Sequence, residues 1–311
     1  MESRATDRVH QERVRQIARV LWVVLVLNLA VAATKLVFGL RSGALSLFAD
    51  GIHALLDASS NVIGLVGIFV AARPPDAGHP YGHRRFETIA ALLIGVFIAG
   101  GMLEIGLGLF SAVQGRRAAP DITWLTAALV AVTIVANIFI SRYESRRGRD
   151  LRSAVLTADA GHTMSDALGA ISVLLSFAFI AVGFAWADMI AAVIVMVLIA
   201  RTAYGVLRTN LGVLTDRAQL DPHEVRRIAL GVEGVRGAHK IRSRGPADYV
   251  QVDLHIHVDP RMHVERAHRL THAVADAIRD AFPDVADVII HTEPADGREY
   301  DLQSIAPPEK P

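Results

Sequence analysis

The sequence predicts a membrane all-α bundle of six transmembrane helices followed by a small cytoplasmic α/β domain of order αββαβ, ferredoxin-like or metallochaperone-like. Three observations lead there. The 311 residues are 52% hydrophobic with a mean hydropathy of +0.37, yet only 6% are aromatic, so the apolar excess lies in Ala, Val, Leu and Ile, which fill lipid-crossing helices. Apolar runs of about 20 residues, the length that spans a hydrocarbon core, recur six times before residue 216. Beyond it the composition turns globular and strand-like alternation begins.

The six runs cover 17–40, 45–72, 87–114, 121–141, 154–183 and 187–207. Each break carries Gly, Pro or Arg, as at Arg41-Ser42-Gly43, Arg73-Pro74-Pro75 and Gly115-Arg116-Arg117. Basic residues set the orientation, because Lys and Arg are retained on the cytoplasmic side. One set of faces holds Arg4, Arg8, Arg13, Arg15, Arg19, Arg73, Arg84, Arg85, Arg142, Arg146, Arg147, Arg149 and Arg152. The other holds Arg41, Arg116 and Arg117. Both termini are therefore expected in the cytoplasm, and the first run is too long and too poorly framed for a cleaved signal peptide. Residues 1–16 are expected to form a cytoplasmic lead-in, overlapping a polar, basic stretch over 6–19 that reads as solvated or interfacial. Residues 17–216 make up the transmembrane domain.

Residues 217–296 are expected to fold as the cytoplasmic domain and 297–311 as a disordered tail. Asp221-Pro222 starts a helix to about residue 232, and 236–243 reads as a strand. Val250, Val252, Leu254, Ile256 and Val258 alternate with Gln251, Asp253, His255 and His257, a half-buried strand with a polar outer face. A helix over 264–282 would bury Val264, Ala267, Leu270, Val274 and Ile278, and a last strand runs over 285–291.

Composition also excludes chemistry. The chain has no Cys and 13 His, so disulfides, thiolate metal sites and Cys nucleophiles are out, and transition-metal binding must use His with Asp or Glu. Residues 1–216 carry 19 Lys and Arg against 15 Asp and Glu, and 217–311 carry 13 against 16; neither half presents a nucleic-acid surface. No His-Glu-x-x-His and no phosphate-binding Gly loop occurs, which disfavours an intramembrane metalloprotease and an ATP-driven pump. The chain does not read as an enzyme.

The second run holds Asp50, His53 and Asp57 and the fifth holds Asp159, His162 and Asp166, both in the pattern Asp-x-x-His-x-x-x-Asp. Residues four apart share one helix face, and a carboxylate at a helix centre costs about 2.5–3.5 kcal/mol on insertion scales. Two helices that each offer an imidazole and a carboxylate can make a closed tetrahedral site whose two negative charges cancel a divalent cation. Asp50 and Asp159 read as groups beside that site or on a path to it.

On these residues, the loop Gly78-His79-Pro80-Tyr81-Gly82-His83-Arg84-Arg85-Phe86-Glu87 and the αββαβ tail, the sequence resembles the cation diffusion facilitator family, in its bacterial zinc/iron-type branch. The resemblance implies a homodimeric antiporter of the cell (inner) membrane that expels divalent metal in exchange for protons, with His53, Asp57, His162 and Asp166 as the transport site. Relatives with Asp in place of the second-span His take a broader range of ions, so His53 tilts the cargo to Zn²⁺, with Fe²⁺, Co²⁺, Cd²⁺ and Mn²⁺ left open. The family also implies a loop site at Asp76, His79 and His83 and an interface site at His239, His255, His268, His291 and Glu293, where Zn²⁺ or a similar ion acts as regulator. Between protomers it implies a charge interlock of Arg85 with Asp216. His257 stands where relatives often have an acidic residue. A membrane metal sensor that binds without transporting would use the same residues and stays open at the level of sequence.

Overall fold

Helix accounts for the first part of the chain in the computed structural model, which describes residues 2–42, 51, 54–55, 58–114, 124–181 and 185–295. Asp50, His53, Asp57, the basic break at 115–117 and the 297–311 tail lie outside the described residues. The chain divides into two units, Met1–Leu211 and Gly212–Pro311.

The first unit contains α1 (Glu2–Ser42), α2 (Ser59–Ala71), α3 (Arg85–Val113), α4 (Trp124–Asp150), α5 (Ala154–Ala181) and α6 (Ala185–Leu214), the last reaching into the second unit. Gln11–Phe38, Arg85–Leu103 and Ala192–Leu214 are long and apolar enough to cross a membrane by length and composition, and Ser59–Ala71 is a shorter apolar helix. Helix α1 begins well before the first apolar run, so the lead-in is continuous with the span; Val14, Ile17 and Ala18 already face the core.

Polarity is turned outside in. Ser60, Asn61, Glu144, Asp159, His162 and Thr163 are buried, while Trp22, Val26, Phe69, Val96, Phe139 and Val197 are each more than half exposed, the pattern expected where the outer solvent is hydrocarbon. Between them lies a layer of Ile17, Leu21, Val24, Ile68, Ile94, Val155 and Leu156.

Small residues bring the helices close. A Cβ on Gly64 would sit 2.9 Å from Val155 Cγ1, and one on Gly67 would collide with the Cβ of Ala90 on α3. Gly67→Leu is therefore expected to cost about 1–3 kcal/mol through overpacking and to lower the thermal midpoint of the detergent-solubilised protein. Gly100→Leu, where an added Cβ meets nothing within 4 Å among the described residues, should leave the midpoint in place.

In the second unit, α7 (Pro222–Leu230) is capped by Asp221, whose side chain accepts from the His223 N–H, with Pro222 at the first turn. Strands β1 (Gly237–Arg244) and β2 (Val250–Val258) pair antiparallel, and β3 (Val285–Pro294) adds parallel to β2 after the crossover helix α8 (Val264–Ala281), giving the order β1-β2-β3. The alternation of β2 decides which face does what. Val252, Leu254 and Ile256 face Val225 and Ala229 of α7 and Leu270, Val274 and Ile278 of α8, and Gln251, Asp253, His255 and His257 take the other side.

Three details differ from the sequence reading. Val264 is 81% exposed, because His263 caps α8 and the first turn projects beyond the apolar stripe. Strand β3 runs on to Pro294, which brings Glu293 into register opposite His257. His257 is buried rather than displayed on a wet face, because the polar groups of β1 and β3 flank it.

Candidate metal centres

The loop between α2 and α3 folds about Asp76. Its Oδ1 accepts the backbone N–H groups of Gly78 at 2.9 Å and His79 at 2.7 Å, and Gly82, with φ +85°, supplies a turn that a side-chain-bearing residue rarely makes. The His79 amide, aided by that of Gly78 against a smaller effect of burial, holds the Asp76 carboxyl below its ordinary value. His83 places Nδ1 at 3.1 Å from the Pro74 carbonyl. That hydrogen bond puts the proton on Nδ1 and leaves the Nε2 lone pair facing Asp76 Oδ2 at 3.4 Å. His79 Nδ1 stands 3.6 Å from Asp76 Oδ1, and the two imidazole centroids are 4.4 Å apart. Nitrogen and oxygen ligands of a tetrahedral ion at about 2.0–2.1 Å lie about 3.3 Å from one another. The structure thus brings Asp76, His79 and His83 together at ligand spacing.

The sheet of the second unit carries a larger cluster. His239 pairs with His255 across β1 and β2, His255 with His291 and His257 with Glu293 across β2 and β3, so five side chains emerge on one face. Glu293 divides them. Its Oε1 is 2.8 Å from His255 Nδ1 and 3.7 Å from His291 Nε2; its Oε2 is 3.1 Å from His257 Nε2 and 3.3 Å from His239 Nε2. Each carboxylate oxygen thus completes a three-ligand group with two imidazoles, the arrangement of a carboxylate bridging two ions.

Electrostatics favour the ligating forms of His239 and Glu293. Burial pushes the His239 imidazole below its usual 6.5, more than the nearby Glu293 charge raises it. Burial also works against ionised Glu293, but hydrogen bonds from His255 and His257 outweigh it and hold the carboxyl below its ordinary value. The sign for stability follows. His239 takes a proton less readily folded than unfolded, so its contribution is complete above about pH 6.5 and is lost as the pH falls. The thermal midpoint of chelator-treated protein should drop between pH 7.5 and 5.5, less steeply in His239→Asn, and the stabilisation by added Zn²⁺ should shrink over the same window as protons compete for the rings.

Within one protomer His268 stands outside this cluster. It lies on α8, with its Nε2 3.3 Å from that of His272. His257, which the family pattern leaves out, takes a place in it; the i, i+2 spacing from His255 was the available signal. Asp216 has its carboxylate 3.7 Å from Arg244 of its own unit, and Arg85 opens α3.

Within the bundle, α5 presents Asp159, His162 and Asp166 in successive turns. Asp159 is fully buried, receiving the Ser60 hydroxyl at 2.8 Å and the Asn61 amide of α2; Asn61 in turn accepts from Asn28 of α1 at 2.9 Å. It ties three helices together. His162 is 6% exposed, its Nδ1 is 3.8 Å from Asp166 Oδ1, and neither ring nitrogen has a hydrogen-bond partner among the described residues.

Comparison with known proteins agrees with this chemistry. Residues 21–215 match the cation efflux transmembrane domain and residues 219–295 the cytoplasmic domain of cation efflux proteins. The chain belongs to the cation diffusion facilitator family. It is 30% identical over 287 residues to an uncharacterized transporter of Methanocaldococcus jannaschii, covering 91% of this chain and 100% of that one. The manganese efflux system protein MneP of Bacillus subtilis is 27% identical, with 91% and 98% covered, and the cation-efflux pump FieF of Serratia proteamaculans is 30% identical, with 84% and 87% covered. As a cation diffusion facilitator the protein is a multi-pass membrane transporter that exports divalent metal cations, with a transmembrane domain and a cytoplasmic domain.

Sequence reasoning missed one group in the bundle. Arg13, read as part of a solvated lead-in, donates through Nη1 to Glu87 Oε2 at 3.0 Å and through Nε to the Leu151 carbonyl at 2.8 Å. The Glu87 carboxylate also accepts from Ser153 Oγ at 2.6 Å. The partners lie 74 and 138 positions away from Arg13, beyond any local pattern.

Proposed function

We propose that the protein is a Zn²⁺/H⁺ antiporter of the cell inner membrane, a homodimer of six-span protomers with both termini in the cytoplasm. The observation that carries this reading is His162, a buried imidazole whose two nitrogens make no hydrogen bond among the described residues, one helical turn from Asp166. With His53 and Asp57 of the second apolar run it makes a site of two imidazoles and two carboxylates, neutral when it holds a divalent ion. Metal binding needs neutral rings and ionised carboxylates, so metal and protons exclude each other from the same atoms. A histidine near its unperturbed pKa of about 6.5 changes state within the range of a cellular proton gradient. Facing outward, protonation ejects the ion; facing inward, deprotonation readies the site, and rocking of the helices that bear it alternates the access. Zn²⁺ held by the loop triad and the sheet cluster serves as regulator, biasing that equilibrium from the cytoplasmic side.

The test is exchange in proteoliposomes under an imposed pH gradient, with Zn²⁺, Fe²⁺, Mn²⁺ and Cd²⁺ compared. Wild type should accumulate Zn²⁺ with counterflow of protons, and Asp57→Ala should abolish both while remaining a folded dimer. Exchange that persists in Asp57→Ala overturns the site. The name of MneP supports manganese as a second reading; Mn²⁺ transported in preference to Zn²⁺ would establish it, although an imidazole-rich site favours Zn²⁺. Metal binding without flux would show a sensor instead.

A further inference from the structure

Glu144 is a buried acid to which neither the metal clusters nor the transport site gives a task. It sits on α4 with no exposed surface; its Oε2 accepts the Thr163 hydroxyl of α5 at 3.3 Å, and its Oε1 has no hydrogen-bond partner among the described residues. Facing it is the carboxyl of Asp159. That carboxyl is held as an acceptor: Ser60 donates to Oδ1 at 2.8 Å, and the Asn61 amide, whose oxygen is taken by Asn28, donates to Oδ2. The charge that bears on Glu144 is that of Asp159. Helix α1 also packs on α4, but its Arg13 is committed to Glu87 and to the Leu151 and Arg152 carbonyls. Two carboxyls packed together in a dry interior do not both ionise, so one proton lies between them.

Position along the helices says what that proton is for. Glu144 precedes Asp150, the end of α4, by less than two turns, and Asp159 follows Ala154, the start of α5, by little more than one. The pair therefore stands just inside the α4–α5 turn, and His162 and Asp166 lie deeper along α5. Thr163 shares the face of Asp159, while His162 and Asp166 take the adjoining one. We propose that Glu144 and Asp159 share one buried proton and form the station through which protons pass between the α4–α5 turn and the face of α5 that bears His162 and Asp166. The use of that proton rests on the exchange proposed above; the existence of the pair does not. A proton displaced by an incoming cation forms an O–H bond on the Asp159 carboxylate, the O–H bond of Glu144 breaks toward the turn, and transfer from Asp159 to Glu144 restores the start. The pair carries one negative charge before and after, so the step buries no additional charge.

Two measurements on the full-length protein in detergent test this. Infrared spectra near neutral pH should show the carbonyl stretch of a protonated carboxylic acid, shifted down in D₂O, that Glu144→Gln lacks and that Asp159→Asn, by exchanging the acceptor, displaces. Glu265→Gln, at a surface carboxylate, should leave the band in place. Stopped-flow mixing with Zn²⁺ and a pH indicator should then show proton release slowed in Glu144→Gln by about a hundredfold, the lower end of what a positioned proton-transfer group contributes. The amide keeps the shape of the neutral acid but carries no transferable proton, so the defect should appear as a rate and not as a loss of Zn²⁺ bound at equilibrium. Glu144→Asp, which keeps a carboxyl, should recover most of the rate. Wild type that binds Zn²⁺ without releasing protons would defeat the exchange reading, with the infrared band still deciding the pair. Proton release in wild type matched by Glu144→Gln, no recovery in Glu144→Asp, or a band unchanged in Glu144→Gln or in Asp159→Asn overturns the proposal.

Discussion

His162→Ala should abolish metal-driven proton exchange while leaving the bundle folded. The ring makes no hydrogen bond among the described residues, so truncation leaves no described partner unsatisfied; its cost to stability is that of a cavity beside Phe97, whose ring centroid is 6.4 Å away. The loss of function should be far larger. Removing a partner outside the ligand shell lowers metal affinity about 10–100-fold, and removing a ligand from a four-coordinate site should exceed that. Asp159→Ala separates the two effects. Asp159 holds Ser60 and Asn61 of α2, so its truncation strands buried donors, at about 1–3 kcal/mol for each unsatisfied group. That variant should lose transport and thermal stability together, whereas His162→Ala loses transport with only the smaller stability cost of its cavity. Isothermal titration with Zn²⁺ and thermal unfolding of the same detergent preparations distinguish them. Exchange near the wild-type rate in His162→Ala would remove His162 from the transport site.

The same contrast shows what could be read from the chain and what could not. Strict alternation of five apolar residues in β2 was enough to place that strand and its buried face, since a period of two admits one solution. The face opposite was visible only as a row of polar residues. Whether His255 and His257 look at solvent or at each other's neighbours depends on the registers of β1 and β3, set by pairing between residues up to 36 positions apart. The longer run of β3 mattered most, because it carries Glu293 to a place where both of its oxygens meet imidazoles. In the bundle, repetition of Asp-x-x-His-x-x-x-Asp marked His162 and Asp166. It could not reveal that Asp159 spends both oxygens on α2, a contact that arises only when α2 and α5 pack together. Charge was the least legible. Positive-inside counting treats every arginine as a marker of orientation, and one of those counted, Arg13, is 13% exposed in its side chain and fixed to both the start of α3 and the turn between α4 and α5.

Glu87→Ala is accordingly expected to be the most destabilising substitution in the first unit, by about 3–5 kcal/mol, the range for removing one member of a buried ion pair. In the native protein the Glu87 carboxylate meets two nitrogens of Arg13, at 3.0 and 3.4 Å, and the Ser153 hydroxyl, at 2.6 Å. Arg13 also donates to the carbonyls of Leu151 and Arg152, in the turn between α4 and α5 where Arg152 adopts φ +48°. One guanidinium thus clamps the start of α3 and a strained turn to the amino-terminal part of α1. Without the carboxylate, the cation is left among carbonyls and Ser153 loses its acceptor. Arg13→Lys should fall between wild type and Glu87→Ala, because an ammonium cannot present the planar fork that reaches carboxylate and carbonyls at once. The double variant Arg13→Met with Glu87→Leu removes both charges and should recover most of the loss, since a buried pair is costly chiefly when half of it remains. Thermal unfolding of the three variants measures the order: a double variant no more stable than Glu87→Ala would mean that the clamp acts through its hydrogen bonds to the α4–α5 turn rather than through the ion pair.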